Sequence, residues 1–185
     1  MRTRPIALAA AAALLALTGC SDKRADAVAT LPPVEIVEQP AASAGGACIL
    51  WDYAFIEQKI GVDFSVAASD QVDDTSTCVV QTMSGEWPYL ALSVVESTKA
   101  DAELFTEELM PGGATRLKGL GKAGYRLVTK ASGGHGPTVE IGWLSDAKQL
   151  QTLRFTFAKG AASGDVKRMQ TRLLSLAKAM NTSNG

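Results

Sequence analysis

Between Thr115 and Phe157 four strand-like runs follow one another with only short breaks: TRLKGL, GYRLVTK, TVEIGWL and LQTLRFTFA. The breaks carry turn residues, in the glycines from Gly119 to Gly124, in ASGGHGP at 131–137 and in SDAKQ at 145–149. The last run alternates, with Leu153, Phe155 and Phe157 on one face. Upstream, CVVQTMSGEWPYLALSVVES reads as a hairpin, with Cys78–Met83 and Tyr89–Val95 joined around Ser84-Gly85. Pro88 then falls at the start of the second strand, where its missing N–H is tolerated. Links this short favour an antiparallel sheet, and the alternation of strand and helix that a parallel sheet needs is absent.

Helical periods frame these strands. CILWDYAFIEQKIG has apolar residues at 49, 50, 53, 54, 56 and 60, which predicts a helix over Ile49–Ile60 with Gly61 as its stop. Trp51 and Phe55 lie four apart on an adjoining face, so they pack under something else. In VDFSVAASDQVDDTST a short strand gives way to a polar turn region. STKADAELFTEELMPGG is a second helix, capped by Thr98 or Ser97, with Ala102, Phe105 and Leu109 facing inward and Pro111-Gly112-Gly113 ending it. In the final helix Ser163 is the expected cap. Val166, Met169, Leu173, Leu176 or Ala177, and Met180 recur at three- and four-residue steps. Its outer face carries Lys167, Arg168, Arg172 and Lys178, a basic stripe that can meet anionic lipid or simply be solvated. The predicted class is α+β: a mostly antiparallel sheet packed by two to three helices, in a single domain over residues 47–181.

The amino terminus has another purpose. Arg2 and Arg4 precede an uncharged apolar run from Ile6 to Leu17. A dozen residues at about 1.5 Å each cannot span a hydrocarbon layer of roughly 30 Å. A basic start, a short apolar core and small residues describe a secretory signal peptide over residues 1–19. Leu17-Thr18-Gly19-Cys20 resembles the lipobox of bacterial lipoproteins. That resemblance implies thioether attachment of a diacylglycerol to Cys20, cleavage before it, and a protein lipid-anchored on the outer face of the cytoplasmic membrane. Two acyl chains hold stably where one holds only marginally. Residues 20–46 are the lipidated cysteine and a flexible tether rich in Ala, Pro, Ser and Gly, with a short strand conceivable at VEIVE.

Without Arg2 and Arg4, 16 basic residues face 19 acidic ones, a formal charge of −3. No basic field invites nucleic acid. With Cys20 on lipid, Cys48 and Cys78 remain as an even pair in an oxidising compartment, and a disulfide between them is expected. Two free thiols are the alternative. Two cysteines and a remote histidine do not make a zinc set.

Motifs that carry chemistry are sparse. GLGKAG, Gly119–Gly124, satisfies the G-x-G-x-x-G pattern, but a nucleotide site needs a helix after it, and YRLVTK is strand-like. The glycines suit a turn or bulge with positive φ. His135, the single histidine, sits in a turn and reads as a solvated loop residue. Asp73-Asp74 and Glu107-Glu108 are neighbours that do not face each other on a helix. A weak calcium contact at Asp70, Asp73 and Asp74 matches no EF-hand spacing. No catalytic residue, cofactor or metal is expected.

The lipobox, Cys-Ile-Leu opening a first helix, a second cysteine thirty residues on, LKGLGKAGY and a closing amphipathic helix together resemble actinobacterial cell-envelope lipoproteins that carry a domain of unknown function. Such domains are similar to PsbP-like α/β sandwiches, which implies an accessory or binding module with no catalytic residues. The expected function is a membrane-anchored, non-enzymatic binding or interaction module whose partner is an envelope protein. The alternatives are a carrier of an apolar small molecule, in a sheet–helix pocket lined by Trp51, Phe55, Trp87 or Trp143, and an envelope hydrolase.

Overall fold

The computed structural model describes residues 39–183. Cys20, the expected signal peptide over residues 1–19 and the VEIVE segment lie outside the described residues. Seven strands form one antiparallel sheet: β1 (Val66–Val72), β2 (Thr75–Gln81), β3 (Tyr89–Glu96), β4 (Thr115–Leu117), β5 (Ala123–Thr129), β6 (Thr138–Leu144) and β7 (Gln149–Thr156). Their order across the sheet is β1-β2-β3-β7-β6-β5-β4. Two meanders are thus joined in the middle, where β3 pairs with β7. The class read from the sequence, α+β with a mostly antiparallel sheet, is the one observed.

Register puts the apolar rows on one face. Cys78, Leu92, Leu153 and Ile141 stand opposite one another across four strands, and Val80, Leu90, Phe155 and Val139 form the next such row. Over this face lie α1 (Tyr53–Ile60) and α3 (Ser163–Ser183). The stripe expected on α3 is buried as read, from Val166 through Met169, Leu173, Leu176 and Ala177 to Met180. A smaller apolar cluster, Ala100, Phe105, Tyr125 and Leu144, lies on the other face beneath α2 (Ala102–Leu104).

The helices start and stop by local chemistry, and here the expectations shift. The first helix begins at Tyr53 rather than Ile49. Residues Gly46–Leu50 form a 3-10 turn, Trp51 is extended, and the Asp52 carboxylate caps α1 by accepting from the Phe55 N–H at 2.9 Å. Gly61 ends α1 in the left-handed region, φ 71°, as read. In α2 the cap is Asp101, which accepts from the N–H groups of Glu103 and Leu104, while Ser97 accepts from Ala100. A π turn over Phe105–Leu109 follows and breaks the 3.6-residue period. Phe105 is therefore buried, but Ala102 and Leu109 are exposed and Met110 turns inward instead. Ser163 is the first helical residue of α3 rather than its cap. The Ala162 carbonyl accepts the first bonds, from Asp165 and Val166.

The Cys48–Cys78 disulfide forms, with both residues fully buried, and ties the 3-10 turn to β2. Residues 41–46, expected as the last of the tether, fold onto the domain. Ala41 is buried, and the Ser69 hydroxyl donates to the Ala44 carbonyl.

Candidate functional site

A groove of about 530 Å³ lies where the C-terminal end of α1, the first turns of α3 and the segment after β7 converge. Its walls are apolar. Val62 follows the helix stop at Gly61 and Phe157 follows β7, and beneath them the buried side chains of Ile60, Phe155 and Met169 form the floor. Phe155 and Phe157 meet edge to face, with ring centroids 4.7 Å apart, so the half-buried Phe157 ring rests on the buried Phe155. Pro88 closes the side nearest β3.

The rim is charged and mostly positive: Lys159, Arg168 and Arg172 against one carboxylate, Asp165. Asp165 pairs with Arg168, one turn away on α3. Arg172 instead reaches across to α1, where its Nη1 donates to the Ile60 carbonyl at 2.9 Å. That carbonyl belongs to the last turn of α1, where a cation is favoured by the helix dipole. Gly61 makes room for it, since a Cβ there would stand 2.7 Å from Arg172 Nη1. Glycine at 61 thus serves both the left-handed stop and the seating of the guanidinium.

The residues singled out from the sequence are placed elsewhere. Trp143 on β6 and Trp51 before α1 are core residues, and their indole N–H groups are buried with no acceptor among the described residues. Phe55 is half-buried on α1 with Lys59 Nζ 5.6 Å from its ring centroid. Trp87 lies in the connection before β3, its ring 6.2 Å from that of His135. None of these four lines the groove.

His135 is half-buried rather than solvated, because it leans on Trp87 and its Nδ1 donates to the Gly136 carbonyl at 2.6 Å. Among the described residues no carboxylate pairs with it and no three metal-ligating side chains cluster. Asp73 occupies the two-residue turn between β1 and β2 with φ 50°, and Asp70 accepts from the Gln71 N–H. In GLGKAG, Gly119–Lys122 belong to the turn between β4 and β5, and Ala123-Gly124 already open the β5 strand. Gly121 has φ 54°, and a Cβ on it would stand 2.1 Å from the Leu144 carbonyl oxygen, so the glycine serves close backbone packing.

The groove residues carried a partial signal. Arg168 and Arg172 belong to the basic stripe of the last helix, and their spacing of four puts them on one edge of it. Nothing local marked Val62, Phe157 or Lys159 as their neighbours. No helix among the described residues is long and apolar enough to cross a membrane. No protein-family model, curated protein or solved structure matches the chain.

Proposed function

We propose that the chain is a lipid-anchored, non-enzymatic binding module on the outer face of a bacterial cytoplasmic membrane, and that the groove between α1, α3 and the end of β7 holds its ligand. The observation that carries this reading is the groove itself, whose volume of about 530 Å³ falls within the ordinary span of small-molecule sites. An apolar interior with a few fixed charges at its mouth is the common build of a binding site. The anchor rests on Leu17-Thr18-Gly19-Cys20 directly after an apolar core. The Cys48–Cys78 disulfide suits an oxidising compartment. The likeness to actinobacterial envelope lipoproteins, in the lipobox, the cysteine pair and the glycine segment, points the same way. The groove moves the preference from a protein partner toward an apolar small molecule.

The test is native mass spectrometry of the chain extracted gently from its own host's membrane. A reproducible adduct of small-molecule mass is expected, and it should disappear in Ala161→Trp, which places an indole in the groove without touching the core. A clean unliganded mass in repeated extractions would remove the binding reading.

A further inference from the structure

We propose that the groove takes a long-chain carboxylate, a single-chain fatty acid, with its alkyl chain along Val62, Pro88 and Phe157 and its head at Arg172 and Lys159. This deepens the binding reading above and rests on it. Three observations carry it.

The first is size. At about 30 Å³ per atom-sized unit, the share of a water in the liquid, a groove of about 530 Å³ holds roughly 18 non-hydrogen atoms. That is one fatty acid of about sixteen carbons.

The second is charge. The chain as a whole is slightly acidic, with 19 acidic residues against 18 basic. The rim of the groove inverts that balance, with three cations and one carboxylate. Asp165 is committed to Arg168. Arg172 and Lys159 have no carboxylate partner among the described residues. An anion at the mouth completes the set, whereas an uncharged amphiphile leaves both cations as they stand.

The third is preparation. One N–H of Arg172 is held by the Ile60 carbonyl, and Gly61 leaves the space for it. A guanidinium carries five N–H donors in a fixed fork, so the remaining ones stay available for a carboxylate. Holding the cation in place beforehand lowers the ordering cost of binding.

The experiment titrates the full chain in a non-ionic detergent with palmitate and, separately, with hexadecanol, reading bound mass by native mass spectrometry. Hexadecanol has the same chain length and no charge. One palmitate per chain is expected, with hexadecanol at least about tenfold weaker. Arg172→Gln should weaken palmitate about tenfold, equivalent to ~1.4 kcal/mol, and leave hexadecanol unchanged. Lys159→Gln should weaken it about threefold; that side chain makes no bond on which the fold depends, so the test stands even if Arg172→Gln unfolds. Ala161→Trp should abolish uptake of both probes. Equal binding of acid and alcohol, palmitate affinity indifferent to both charge variants, or no uptake of palmitate at all would each overturn the assignment. A host-derived adduct that is not an acyl carboxylate, together with a failed palmitate titration, would overturn this inference and leave the broader binding reading intact.

Discussion

Tyr125 lies flat over Gly142 on the sheet face away from α3. The two are cross-strand partners, and a Cβ at Gly142 would stand 2.3 Å from Tyr125 Cε1. A glycine inside TVEIGWL would ordinarily weaken a strand, and in a strand it often marks a close approach. The sequence shows the signal but not the ring that answers it. The Tyr125 hydroxyl donates to Glu140 Oε1 at 2.7 Å, and Glu140 in turn faces Arg154 at 3.8 Å. Burial first, and then the hydrogen bond and charge of Glu140, push the phenol well above its ordinary value. An unfolded tyrosine ionises near pH ~10, while the folded one keeps its proton to higher pH. The contribution to stability is therefore complete below about pH 10 and is lost as pH rises beyond it. Urea midpoints for wild type should fall more steeply above about pH 10 than those of Tyr125→Phe. Parallel declines in the two proteins would show that Tyr125 does not carry the effect. At this scale the sequence was legible for backbone punctuation, as at Gly61, and silent on what each side chain meets.

Among the elements, α3 was the most legible because its period persists over about four turns, from Val166 to Met180. The others lost clarity where a local rule interrupted the period. The apolar spacing from Ile49 onward continues straight through Trp51, but an extended residue there lets Asp52 cap a shorter helix. A π turn after α2 shifts the buried face by one residue, so that Leu109 is 44 % exposed. The disulfide is what fixes the 3-10 turn on β2, because Cys48 and Cys78 are 30 residues apart in the chain. In the chain-entropy account, closing a loop of that size stabilises by about 3–4 kcal/mol. Urea unfolding should show a loss of that order both in wild type under reductant and in the double variant Cys48→Ala/Cys78→Ala. Midpoints that do not move in either case would mean the bond is energetically idle.

At the scale of the whole molecule, location and binding are separable. If Cys20 carries the anchor, Cys20→Ser should leave the membrane fraction and lack the acyl mass, while its palmitate titration stays as in wild type. A Cys20→Ser chain that remains with the membrane would refer attachment to another part of the protein. What the amino-acid order decided alone is local or combinatorial. Short links committed the strands to antiparallel pairing, three cysteines allowed a single bridge between Cys48 and Cys78 only if Cys20 carries lipid, and periods of 2 and 3.6 named the buried faces. Such patterns say that a face is covered, never by what. Only the tertiary structure set β7 beside β3, brought Arg172 to a carbonyl 112 residues away, and closed a groove from segments around 60, 157 and 168. Those contacts depend on which apolar surfaces find each other in space, and no local period records that choice.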